Sequence, residues 1–199
     1  MEKSVHPFEP YIPEGATKLL IGTIPPHRFC VHSLDTEKDV DFYYGSKDNY
    51  FWSLMSEATG IPLQYYRNCA EAVQERKELL DKLGVGITDI IEQCIHKNGK
   101  SDDASLEVIE LKPLRTLLKE YPNINTLYYT SEYVKKLINT CGIADKSYHN
   151  CVDKKSRQYS VFIEGKEYQV VILYSPSPNA LRSISQENRL TQYKKVFKG

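Results

Sequence analysis

The sequence predicts an α/β protein, a three-layer α/β/α sandwich around a short, mostly parallel central sheet. Three observations predict it. Short apolar, β-branched runs alternate with segments of helical periodicity. The run at 168–174 is nearly continuous in apolar residues, as a strand buried on both faces requires. Polar or irregular segments follow the strand ends, which is where sheets of this class bind ligands.

In order, residues 18–23 (KLLIGT) read as a buried strand ending near Gly22. Pro25 and Pro26 lack amide donors and break regular structure, so residues 24–49 read as a long loop. A helix is expected over 50–59, with Phe51, Leu54, Met55 and Ala58 on one face and Asp48 or Asn49 as its cap. Residues 70–83 form a stronger helical pattern, closed by Gly84. VGITDII (85–91) has strand composition and carries Asp89 at an apolar site, and a polar segment follows to Ser101. Pro113 opens a helix to about Glu120, INTLYYT (124–130) is a strand, and Ser131 to Thr140 is a helix. A hairpin turns at Glu164-Gly165, and a helix over about 185–198 closes the order.

The 199 residues are expected to fold as a single domain, 1–199, large enough for a substantial core. Twenty-six basic and 26 acidic residues cancel, which argues against a generally basic protein that coats nucleic acid. A local basic face remains compatible with that sum. Five loosely spaced cysteines (30, 69, 94, 141 and 151), without an apolar leader, point to a reduced, cytoplasmic location. No run has the apolar length of a membrane span. The pairs Cys30/His32 and Cys94/His96 are too closely spaced for usual zinc chelation, so no zinc site is expected from them.

The most unusual stretch is Asp41–Trp52, DFYYGSKDNYFW, in which six of twelve residues are aromatic around a Gly-Ser-Lys-Asp-Asn run. Rings around a polar centre suit a pocket that grips a flat ligand. Phe51 and Trp52 fit the core face of the following helix, whereas Tyr43 and Tyr44 precede a loop glycine. Asn49 fits a helix cap, a catalytic role, or both.

IGTIPP (21–26), YYGSKDNYFW (43–52), GITDII (86–91) and SPSPNA (175–180) occur in an order that resembles the uracil-DNA glycosylase superfamily. The resemblance is nearest to its hypoxanthine-DNA glycosylase-like branch and spans about residues 16–197. It implies hydrolysis of the N-glycosidic bond of a deaminated base, hypoxanthine or uracil, after the nucleotide is extruded from DNA. It implies DNA as the partner, no metal or redox cofactor, and action as a monomer. Asn49 matches the motif asparagine and is assigned to water positioning or base contact. Asp89 is assigned beside it from its position at a strand end. Gly22, Thr23, Ile24, Pro25, Tyr43, Tyr44 and Gly45 are assigned to the base, with amides near Thr23 and Ile24 as donors and a tyrosine as stacking platform. Ser175, Pro176, Ser177 and Asn179 are assigned to the DNA strand.

The chain departs from the pattern at several points. Thr23-Ile24 stands where many members carry Asp or Asn, Pro26 where Gly is usual, and Ser175 where many place His. The cysteines do not supply the set that holds an iron–sulfur cluster in some relatives. Two other readings follow. One is a catalytically weak or inactive nucleic-acid- or nucleotide-binding module of the same fold. The other is hydrolysis of a free nucleoside.

Overall fold

The computed structural model describes residues 3–97, 103–148 and 157–198. Cys151 and the end of the polar segment near Ser101 lie outside these residues. Among the described residues, the central sheet has six strands in the order β3-β2-β6-β9-β8-β7. These are β2 (Lys18–Gly22), β3 (Val85–Asp89), β6 (Thr126–Tyr129), β7 (Lys146–Tyr148), β8 (Gln158–Ile163) and β9 (Lys166–Ile172). The pairs β3-β2, β2-β6 and β6-β9 are parallel, and β8 and β7 extend the sheet antiparallel. Glu164 and Gly165 both adopt left-handed φ (52° and 75°), the twist-matched geometry of a two-residue hairpin turn.

Side-chain alternation splits the core into two layers. Leu19, Ile21, Tyr129 and Ile172 face α4 (Leu114–Glu120) and α5 (Glu132–Thr140). Leu20, Ile87 and Tyr128 face α2 (Phe51–Thr59), α3 (Ala70–Leu83) and α6 (Gln186–Phe197). Each helix has a local reason for its limits. Ser131 and Ser185 accept the amides of Val134 and Asn188, capping α5 and α6. Gly84 ends α3 at φ 61°. The buried positions of α3, Ala72, Arg76, Leu79 and Leu80, recur at helical spacing.

Two features differ from the sequence expectation. Residues 24–49 contain a one-turn helix, α1 (His27–Cys30), directly after the two prolines. A second, antiparallel sheet, β1-β4-β5, is built from β1 (Lys3–Val5), β4 (Ile91–His96) and β5 (Leu106–Leu111). Register shifts between Ile91, Gln93 and Cys94 break the period-two pattern of β4, which hides it from a reading by alternation. No helix of the described residues is long and apolar enough to cross a membrane.

Candidate active site

The parallel pairing aligns the carboxyl ends of β2, β3 and β6. Gly22 stands opposite Asp89, and Ile21 opposite Tyr129, so Thr130 follows at the same level. A side chain at Gly22 would collide with the Asp89 carboxylate and the Tyr44 hydroxyl, so only glycine lets these two groups approach. The Tyr44 hydroxyl lies 2.8 Å from the Thr130 hydroxyl, which itself donates to the Ile21 carbonyl at 3.4 Å. Burial, followed by the charge of Asp89, pushes the Tyr44 phenol well above its ordinary range and keeps it a neutral donor.

Asp89 is buried and paired with His6, from the segment after β1, at 2.9 Å between Oδ2 and Nε2. The Phe8 amide donates to His6 Nδ1 at 3.1 Å. The same Nδ1 lies 3.0 Å from the Phe8 carbonyl, so the Phe8 backbone fixes the ring with Nε2 facing the carboxylate. The other carboxylate oxygen faces Gly22 and Tyr44.

The aromatic loop reaches these strand ends through Tyr44. Its backbone is left-handed (φ 54°), and its ring stacks on Phe51 at 4.4 Å and 26°. Gly45 makes this turn possible, because a Cβ there would strike the carbonyls of Val40 and Phe42. Asn49 Oδ1 accepts the Phe51 amide at 2.9 Å, which tightens the entry to α2. Its amide nitrogen makes no hydrogen bond among the described residues. Tyr44, Gly45 and Asn49 line one cavity of about 620 Å³, together with Ser46, Tyr50 and Ser53. That volume suits a small-molecule or nucleobase-sized guest.

Tyr43 sits elsewhere. Its ring is buried beside His6, Phe8 and Phe42, and its hydroxyl donates to the carbonyls of Phe8 and Glu9. Its carbonyl accepts Trp52 Nε1 at 2.7 Å. Of the two tyrosines, Tyr44 is the one at the cavity, and Tyr43 is core, as are Phe51 and Trp52. The carbonyls of Gly22 and Thr23 accept the amides of Ile90 and Ile91, while the amides of Thr23 and Ile24 have no acceptor among the described residues. Pro25 is buried, and Ile24 packs its side chain on the core.

The Ser-Pro segment closes the same rim. The Tyr50 amide donates to the Pro176 carbonyl at 3.0 Å, tying it to the aromatic loop. Ser175 and Ser177 each accept an amide two residues on, at 3.3 Å, and Asn179 is exposed at the head of a 3-10 turn. Beneath lies Arg189 of α6, fully buried, with Nη2 donating to the Ser177 carbonyl at 3.0 Å. Its guanidinium lies 5.8 Å from the Tyr50 ring centre, and Nε and Nη1 have no hydrogen-bond partner among the described residues.

Sequence reasoning missed His6, Thr130 and Arg189 as members of this site. Nothing local marks His6, which meets Asp89 across 83 positions. Arg189 reads as one more charge on an exposed helix. Cys30 and Cys94 are protonated thiols at neutral pH, since burial pushes them up to about 12 and about 11, respectively, and for Cys30 the neighbouring Cys94 adds to it. Among the described residues, no group of three or more His, Cys, Asp or Glu side chains can hold a metal ion.

This fold, with a cavity at its strand ends, resembles that of proteins named as DNA glycosylases. A hypoxanthine DNA glycosylase of Methanosarcina barkeri (strain Fusaro / DSM 804) is 23% identical over 193 residues, covering 96% of each chain. The solution NMR structure of a candidate uracil DNA glycosylase from Methanosarcina acetivorans superposes with a TM-score of 0.64 at 17% identity, covering 99% of this chain and 98% of the other. No protein-family model matches the chain. The likeness to the uracil-DNA glycosylase superfamily, and within it to the hypoxanthine-DNA glycosylase-like branch, is thus carried by sequence and fold together.

Proposed function

We propose that the protein is a monofunctional DNA glycosylase that removes a deaminated base, hypoxanthine or uracil, from DNA in the cytoplasm, as a monomer. The observation that carries this reading is Asn49, whose unpaired amide nitrogen stands at the wall of a base-sized cavity beside Tyr44. The target nucleotide leaves the stack and its base lies against the Tyr44 ring. Such stacking contributes on the order of 1–3 kcal/mol and tolerates more than one base.

In the reaction, a water oxygen bonds to the sugar C1′ while the bond from C1′ to the base nitrogen breaks. The bonding electrons leave with the base, and the water's proton reaches the base nitrogen through solvent. Positive charge therefore grows on the sugar and negative charge on the base. Asn49 orients the water or donates to the base, and the free amides of Thr23 and Ile24 meet the base oxygens. Asp89, oriented by its 2.9 Å contact with His6, is the acid assigned to the charge on the sugar. Ser175, Ser177 and Asn179, with the Pro176 carbonyl holding their loop, present hydroxyl and amide donors to phosphates.

Oligonucleotides carrying hypoxanthine, uracil or no lesion, single- and double-stranded, test this directly. Alkali-labile abasic sites are expected from at least one lesion, and folded protein that yields none from any of them rejects the reading. One observation favours a second reading, a binding module without catalysis. The Tyr44 hydroxyl already fills the space between Gly22 and Asp89. That reading predicts lesion binding with no abasic product, and no difference between the wild type and Asn49→Ala.

A further inference from the structure

The segment from Asp35 to Asn49 has no helix or strand, yet it carries the asparagine on which the proposed chemistry depends. A chain without a ladder must be fixed by its side chains. The centre of the fixing is Asp39, a carboxylate with 0% exposure. Its Oδ2 accepts Arg28 Nε at 2.7 Å and the Asp35 amide at 3.2 Å. Its Oδ1 accepts Arg28 Nη2 at 2.8 Å and the Lys47 amide at 3.1 Å. The same Nη2 donates to Ser46 Oγ at 2.8 Å, and the Ser46 carbonyl accepts the Asn49 amide at 2.9 Å. A continuous chain of bonds therefore runs from Arg28 through Asp39 and Ser46 to Asn49.

Arg28 has a firm seat from which to act. It lies on α1, which follows β2 and the two prolines. The preceding residue, His27, brings Nδ1 to 2.8 Å from Ser4 Oγ on β1, and Ser4 also meets His96 Nδ1 of β4 at 2.9 Å. The small antiparallel sheet thus braces α1 from one side while Arg28 reaches out on the other.

We infer that Arg28 is a positioning residue: by its fork on Asp39 and its bond to Ser46 it sets the register of residues 46–49 and so places Asn49 at the cavity. This rests on the role given to Asn49 above. Arginine is needed because two parallel donors must meet one carboxylate while a third contact reaches Ser46, a geometry that a lysine ammonium does not reproduce. Misplacement of a catalytic group by an ångström costs up to about 100-fold in rate.

The test compares Arg28→Lys, Arg28→Gln and Ser46→Ala with the wild type. Excision should fall about 30-fold in kcat for Arg28→Lys, with KM within about threefold, and about threefold for Ser46→Ala. A loss carried by KM with kcat unchanged overturns the proposal, because it marks a substrate contact instead. A second readout does not need catalysis. Lys38 and Lys47 are exposed trypsin sites inside the segment, and Trp52, the chain's one tryptophan, is bonded to Tyr43 of the same stretch. Trypsin should cut Arg28→Gln at these lysines about tenfold faster than wild type, with a shift in Trp52 emission and an unchanged far-ultraviolet circular dichroism spectrum. Equal resistance of the segment in the variant and the wild type overturns the clamp. If Arg28→Gln does not fold, Arg28→Lys and Ser46→Ala give the same two readouts. Should the wild type excise nothing, the glycosylase reading fails, while proteolysis still decides whether Arg28 sets the segment.

Discussion

The aromatic loop and the Ser-Pro loop border the same strand ends, yet arginines hold them in opposite ways. In the first, Arg28 closes on a buried carboxylate whose two oxygens are filled by four donors. In the second, Arg189 is buried and, among the described residues, has no carboxylate in contact and gives one hydrogen bond, to a carbonyl. A saturated ion pair fixes geometry, because breaking it strands a charge in a dry place. A lone buried guanidinium fixes little and leaves positive potential under the loop that faces the proposed phosphates. Burial, offset only in part by Tyr193 and Tyr50, pulls the Arg189 guanidinium below its ordinary value. On the proposed function, the aromatic loop would serve to place a side chain and the Ser-Pro loop to receive a charge.

The largest effect that sharpens this contrast is expected at the end of the fixed loop. Asn49→Ala should lower excision by about 100-fold or more, with folding unchanged, as loss of one transition-state donor does. Steady-state kinetics on a lesion-bearing oligonucleotide measures it. Arg28→Met comes next. It leaves the Asp39 carboxylate buried with two amide donors, and should cost about 2 kcal/mol in urea unfolding. That is less than the 3–5 expected of a fully buried pair, since the Arg28 side chain is 33% exposed.

Arg189→Met should behave in the opposite sense. Replacing an unpaired buried cation by an apolar chain of similar length should leave stability within about 1 kcal/mol of wild type, or raise it. It should at the same time weaken binding to an undamaged oligonucleotide about fivefold and flatten its salt dependence. Fluorescence anisotropy across a salt series reads both. A large loss of stability would place Arg189 beside Arg28 as a structural clamp and erase the contrast between the loops.

The fold was legible where one principle acts locally. Gly84, Ser131 and Glu164-Gly165 mark their boundaries within a few residues, and the apolar run at 168–174 marks β9, although Glu167 and Gln169 leave one of its faces exposed over its first half. The small antiparallel sheet was not legible, since the irregular register of β4 erases its alternation. At the site, Tyr44, Gly45 and Asn49 could be read from one crowded segment, and the cavity they share bears on that reading. Tyr43 could not be told from Tyr44 in the sequence. Which of two adjacent rings turns inward depends on the left-handed backbone of Tyr44 and on the N-terminal carbonyls that accept the Tyr43 hydroxyl. His6, Arg28 and Asp39 act through partners many positions away, and no spacing rule announces such pairs.

The smallest effect is one of pH, and it separates the clamp from its brace. His96 is held below its ordinary 6.5 by burial and then by the neighbouring His27. The unfolded chain therefore binds more protons than the fold between those two values. The stabilisation is complete above pH 6.5 and is lost as pH falls through the lower, folded value. Asp39 differs. Burial pushes its carboxyl up, but the bonds from Arg28 and from the amides of Lys47 and Asp35 outweigh that and leave it below 3.8. Its contribution is present above 3.8 and is lost only as pH falls further. Acidification from pH 7 to 5 should then lower stability by less than about 1 kcal/mol, and His96→Gln should remove part of that slope. Trp52 emission should stay constant over the same range and shift only below about 3.8, when the carboxylate that orders the aromatic loop takes up its proton. A shift of Trp52 emission near pH 6 would mean that the brace, not the Arg28–Asp39 pair, holds the loop.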